Sequence, residues 1–129
     1  MEYTPENITE LKKNEIFVFG SNESGRHGKG AAKTAMNKFG AIYGKGYGLQ
    51  GQSFAIPTKN QWLKTLHIKE ISKYVDDFFT FAKLHPELKF YVTKIGCGLA
   101  GYSVDEMRKM FLSREIPEHV ILPYEFSKK

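Results

Sequence analysis

Short apolar runs that end in glycine or proline alternate with helix-patterned segments along this chain, and that alternation limits the folds open to it. Glu15–Gly20 (EIFVFG) is rich in β-branched and aromatic residues and reads as a buried strand. Ser53–Ile56 (SFAI) reads as a second strand, stopped by Pro57. Phe90–Ile95 (FYVTKI) reads as a third and Val120–Leu122 (VIL) as the last. Between them lie three helical patterns. Gly30–Phe39 places Ala31, Ala35 and Phe39 four residues apart, with Gly40 as its stop. From Leu66 to Leu84, Ile68, Ile71, Val75, Phe78, Phe79 and Ala82 recur at spacings of three and four, and Pro86 ends the run. Val104–Leu112 is the third, with Ser103 as its N-cap. Strand and helix in strict alternation predict a three-layer α/β/α sandwich with a mostly parallel central sheet. The 129 residues are expected to form a single domain, 1–129.

In such sheets ligands bind beyond the carboxyl ends of the strands, so the loops that follow the strands are the places to look. The first runs from Gly20 to Ala32 (GSNESGRHGKGAA). Its glycines at 25, 28 and 30 permit close backbone approach, and it feeds a helix N-terminus, which suits phosphate. It lacks the Gly-Lys-Ser/Thr of a P-loop, and Gly-x-Gly-x-x-Lys departs from the dinucleotide fingerprint. The loop after the third strand, Ile95–Tyr102 (IGCGLAGY), repeats the device. Side by side, the two loops are placed to clamp a diphosphate. Gly40–Gln52 is a further glycine-rich stretch, whose Tyr43 and Tyr47 either stack on a base or ribose or pack locally. Lys59 follows the second strand, where such a sheet presents side chains to a cleft.

Cys97 is the single cysteine and cannot form an internal disulfide, which fits a reducing, cytoplasmic location. Between two glycines it reads either as a nucleophile or, more commonly for its type, as a structural thiol. His27, His67, His85 and His119 show no metal-ligand spacing with it. No metal or cofactor is called for. No apolar stretch approaches the ~20 residues of a membrane helix, and MEYTPENITEL lacks the pattern of a secretory signal. The net charge of +5 favours an anionic ligand. The lysines are scattered, apart from Lys12–Lys13 and Lys128–Lys129, as on an ordinary solvated surface.

These loops resemble those of the macrodomains, the ADP-ribose-binding fold, and most closely the branch of the terminal ADP-ribose protein glycohydrolase. Gly28–Gly40 (GKGAAKTAMNKFG) is similar to that branch's glycine-x-glycine loop and helix. Ile95–Leu99 (IGCGL) is similar to its diphosphate loop, and Thr58-Lys59 to the pair carrying its catalytic lysine. The matches run in order from about Ile16 to Leu122. The resemblance implies a compact variant of the fold, its N-terminal strand pair missing or shortened. Gly28, Gly30, Ala31 and Ala32 would then line the distal ribose and phosphates, with Asn22 near that ribose. Gly96, Cys97, Gly98, Leu99 and Ala100, followed by Gly101 and Tyr102, would surround the diphosphate. Lys59 would attack the anomeric carbon of the distal ribose.

Two departures stand out. Ala100 occupies the place of that branch's acid–base aspartate, and the nearest carboxylates in sequence, Asp105 and Glu106, read more readily as favourable first-turn charges of the third helix. Asn7, in Glu6-Asn7-Ile8-Thr9, stands where the family's adenine-binding aspartate is expected, with one residue of uncertain register. Three readings follow. The first is a hydrolase of an ADP-ribose derivative, carried by protein or nucleic acid or bearing a phosphate. The second is an ADP-ribose-binding module without chemistry. The third, ranked last, is a nucleic-acid-binding domain.

Overall fold

The computed structural model describes residues 1–127, so the Lys128–Lys129 pair lies outside the described residues. In chain order the elements are β1 (Glu15–Asn22), α1 (Gly30–Lys38), β2 (Gly48–Gln50), β3 (Ser53–Lys59), α2 (Ile68–Leu84), β4 (Lys89–Val92), α3 (Val104–Leu112), β5 (Val120–Ile121) and α4 (Tyr124–Ser127). The sheet order is β2-β3-β1-β4-β5. β1 is central and parallel to both β3 and β4, and β5 is parallel to β4. Only β2, on the edge beside β3, runs antiparallel. No helix among the described residues is long and apolar enough to cross a membrane.

Because successive side chains on a strand point to opposite faces, β1 supplies both halves of the core. Phe17 and Phe19 face α1 and pack with Ala32, Ala35 and Phe39. Ile16 and Val18 face the other way, among Phe54, Ile56, Phe90, Phe78 and Met107. That second face carries α2, whose apolar stripe of Ile71, Val75, Phe78, Phe79 and Ala82 is buried, and α3, which buries Met107, Met110 and Phe111. Each such large apolar side chain contributes roughly 1.5–3 kcal/mol when fully buried. The result is the expected α/β/α layering, and residues 1–14 carry no strand.

Several boundaries differ from the sequence reading. β3 does not stop at Pro57 but continues to Lys59. Proline is tolerated where a strand lacks a neighbour or meets an irregularity. Both conditions hold: β2 pairs β3 only as far as Ala55, and the β1–β3 register shifts between Ser21 and Asn22, beside the Ser21–Pro57 pair. β4 ends at Val92 rather than Ile95: Thr93 makes the last bond to β1, its N–H to the Val18 carbonyl (3.1 Å), and the Ile95 N–H then turns back to the Thr93 carbonyl (2.7 Å). β5 closes at Ile121, one residue before the expected Leu122. α2 opens at Ile68, with the His67 ring accepting the Lys69 N–H as N-cap. β2 and α4 are too short to give a periodic signal.

Candidate functional site

The carboxyl ends of β1, β3 and β4 open into a cleft of about 550 Å³, the size of a small-molecule site. Its first wall is the loop from Gly20 to Gly30, held in shape by its own polar groups. The Asn22 carboxamide oxygen accepts from the Arg26 N–H (2.9 Å) and the Ser24 hydroxyl (2.8 Å), and its nitrogen donates to the Arg26 carbonyl (2.9 Å). His27 is fully buried edge-on against Phe19, and its Nε2 donates to the Lys45 carbonyl (3.0 Å). Ser21 donates to the Gly46 carbonyl. Gly25 has a positive φ of 71°, and a Cβ there would sit 2.3 Å from the Lys45 nitrogen. The glycine-rich segment after α1 is thus the scaffold against which the first loop is moulded.

This loop delivers the N-terminus of α1 to the cleft. Gly30, Ala31 and Ala32 line it, and Gly28 and Asn22 stand beside them. The N-cap, Lys29, makes no side-chain cap, and the first turn contains no acidic residue. The leading N–H groups of α1 therefore keep their capacity for an anion. Gly28 has an ordinary φ, and no heavy atom lies within 4 Å of where its Cβ would stand.

Gly96, Gly98, Leu99 and Ala100 form the facing wall. Gly96 packs on α3, since a Cβ would meet the Met107 sulfur at 2.8 Å, and its φ is +82°. Gly98, like Gly28, has an ordinary φ and open space at its Cβ. Cys97, Gly101 and Tyr102 do not line the cleft. The Cys97 thiol turns toward the carbonyls of Ile95 (3.6 Å) and Ser103 (3.9 Å), and burial raises its pKa. The Tyr102 hydroxyl donates to the Leu66 carbonyl (2.6 Å).

Lys59 lines the cleft at the end of β3, beside Thr58. Sequence reasoning missed Arg26, Lys29 and Lys94, which also line it. Scattered in sequence, these cations converge only through the fold. Among the described residues, no carboxylate lines the cleft. Asp105 and Glu106 act at the start of their own helix instead. Glu106 accepts the Ser103 N–H (3.0 Å) and its own N–H bonds the Ser103 hydroxyl (3.1 Å), closing a capping box. Asp105 is bridged by Lys109 (3.1 Å) and Arg108, and the Lys109 hydrogen bond leads in lowering its pKa. Glu23 follows Asn22, but its carboxylate accepts the Tyr74 hydroxyl (2.5 Å). Burial first, and that bond second, push the Tyr74 pKa up to about 12.

The tyrosines of the glycine-rich stretch divide. Tyr43 is exposed and lines the cleft, whereas Tyr47 packs locally against Phe54 and Tyr74. A smaller hollow of about 210 Å³ shares Thr93 and Lys94 with the cleft. Glu6 and Tyr124 line it, and Asn7 does not.

No protein-family model matches the chain, and no curated protein matches it in sequence. Among solved structures, it is similar to Thermosipho africanus DarTG in complex with ADP-ribose. The identity is 21%, the TM-score 0.60, and the alignment covers 88% of this chain. The fold is macrodomain-like. This chain spans 39% of that chain's length, and the likeness concerns the fold.

Proposed function

We propose that this macrodomain-like chain binds ADP-ribose or a closely related nucleotide. The observation that carries the proposal is the make-up of the cleft. An uncapped helix start faces a glycine loop, Arg26, Lys29 and Lys59 line the cleft with Lys94, which is paired to Glu125 at 3.8 Å, and among the described residues no carboxylate lines it. A diphosphate between the α1 N-terminus and the Gly96–Ala100 loop uses all of these groups. Gly28 and Gly98 support the reading, because the folded chain itself does not require glycine at either place. The base falls in the smaller hollow, where the Glu6 carboxylate is an acceptor for an exocyclic amine. On this proposal the base contact is Glu6, within the one-residue register left open around Asn7.

The catalytic part of the proposal rests on Lys59 and on the resemblance to the terminal ADP-ribose protein glycohydrolase branch. The Lys59 amine attacks the anomeric carbon of the distal ribose, the bond to the leaving oxygen breaks, and water later releases the sugar and restores the amine. With no carboxylate in the lining to donate a proton, this chemistry suits a leaving group that departs as a stable anion. An acyl ester of ADP-ribose is such a substrate, and so is a phosphate ester at the anomeric position. The same lack of a carboxylate favours a second reading, a binding module that performs no chemistry.

Titration calorimetry with ADP-ribose, using ADP and a nucleoside monophosphate as controls, tests binding. Preference for ADP-ribose is expected, and equal or absent heat for all ligands overturns the proposal. Lys59→Ala is expected to abolish release of ADP-ribose from an ester while retaining binding. Turnover unchanged in that variant removes Lys59 from the mechanism, and no turnover in the wild-type chain leaves the binding module.

A further inference from the structure

We infer that Thr65 and Tyr102 are positioning residues, which together clasp the Lys59-bearing turn to the glycine loop across the cleft and so set its width. The inference rests on the nucleotide reading for its functional consequence and on hydrogen bonds alone for its geometry.

Residues 58–66 form a small closed hairpin. Lys59 and Thr65 pair in an antiparallel bridge, and the Leu66 N–H donates to the Thr58 carbonyl (2.9 Å). Asn60 closes the tip. Its side-chain oxygen accepts the N–H groups of Trp62 (2.9 Å) and Lys64 (3.0 Å), while its own N–H donates to the Lys64 carbonyl (2.8 Å). Leu63 is held at φ 63°, a left-handed conformation that L-residues other than glycine and asparagine seldom adopt. Such an outlier persists only where its surroundings over-determine it. The turn that carries Lys59 and Leu63 into the cleft is therefore rigid.

The opposing loop is held at its two ends, where Gly96 and Tyr102 pack against the core. Its internal hydrogen bonds are local, from the Gly101 N–H to the Gly98 carbonyl (3.1 Å) and from the Tyr102 N–H to the Gly96 carbonyl (2.9 Å). Among the described residues, the hydrogen bonds that tie 97–102 to a distant segment both run to the hairpin. Thr65 Oγ1 donates to the Ala100 carbonyl (2.9 Å), and the Tyr102 hydroxyl donates to the Leu66 carbonyl (2.6 Å). They lie on either side of Gly101, whose backbone is itself left-handed. The clasp thus transfers the rigidity of the hairpin to the loop that forms the cleft wall opposite the start of α1. A cleft of fixed width binds without first ordering its wall.

Amide hydrogen exchange of the full chain tests the clasp directly. In the Thr65→Val/Tyr102→Phe double variant, exchange of the hydrogen-bonded Gly101 and Tyr102 amides is expected to quicken at least about tenfold, while amides of β1 and β3 keep their protection. Calorimetry should show ADP-ribose affinity falling about tenfold. Thr65→Ser, which keeps the hydroxyl, should restore affinity when it replaces Thr65→Val. Unchanged exchange at Gly101 and Tyr102 overturns the clasp, and faster exchange with unchanged affinity overturns its positioning role. Should wild-type protein bind no ADP-ribose, the nucleotide reading fails, while exchange still decides whether the clasp exists.

Discussion

The starts of α1 and α3 look alike in sequence and behave oppositely in the structure. Each follows a parallel strand and a glycine-rich loop on the same edge of the sheet. At α3, Ser103 and Glu106 close a capping box, and Asp105 adds negative charge to the first turn. The Ser103 hydroxyl accepts the Glu106 N–H, and the helix start stands outside the cleft lining. At α1, Lys29 provides no cap, no acid sits in the first turn, and the opening residues line the cleft. A helix start left unsatisfied by its own chain is available to a ligand, and one that caps itself is structural. The difference lies in a few side chains, not in the backbone plan.

Converting one start into the other gives the largest expected effect. Lys29→Asp places an acceptor at the N-cap of α1, removes a cation and adds an opposing charge. Calorimetry should record more than a tenfold loss of ADP-ribose affinity, and thermal melting a gain of about 1 kcal/mol in stability from the new cap. A variant with undiminished affinity would break the comparison. Next come Gly28→Ala and Gly98→Ala, one on each wall. Neither alters a left-handed residue or meets a neighbour, so unfolding should be unchanged or stabilised by about 0.4–1 kcal/mol. Affinity should fall severalfold wherever a ligand lies against the backbone. Ser103→Ala sharpens the contrast from the other side: a loss of about 1 kcal/mol in denaturant melts, with ADP-ribose affinity unmoved. The smallest effect concerns Cys97. Burial raises its pKa, so less thiolate is present at any given pH. Alkylation by iodoacetamide should be slow near neutrality and accelerate only above the ordinary thiol value of about 8.5. Fast alkylation at neutral pH would show an activated thiol.

Much of the scaffold was legible because its signals are local. The apolar run of β1 and the three- and four-residue spacing in α2 identify their elements without reference to neighbours. Pro57 misled, because the cost of a missing N–H depends on whether a partner strand lies opposite. Gly28, Gly30 and Lys59 are singled out by loop position, and all three line the cleft. Tyr102 was read as a ligand contact from its place beside the second loop, yet its hydroxyl is engaged by the Leu66 carbonyl, 36 residues away in sequence. Arg26, Lys29 and Lys94 were missed because nothing local separates a cleft-facing cation from the chain's other basic residues.

The sequence by itself determined the alternation of strands and helices, the α/β/α layering, and the two glycine loops at one sheet edge. Those features follow from side-chain periodicity and backbone freedom, which act over a few residues. Only the tertiary structure decided which loop residues line the cleft, that Arg26, Lys29 and Lys94 join Lys59 there, and that no carboxylate of the described residues does. Hydrogen-bond partners and electrostatic neighbours are set by distance in space, and residues far apart in the chain meet only once it has folded.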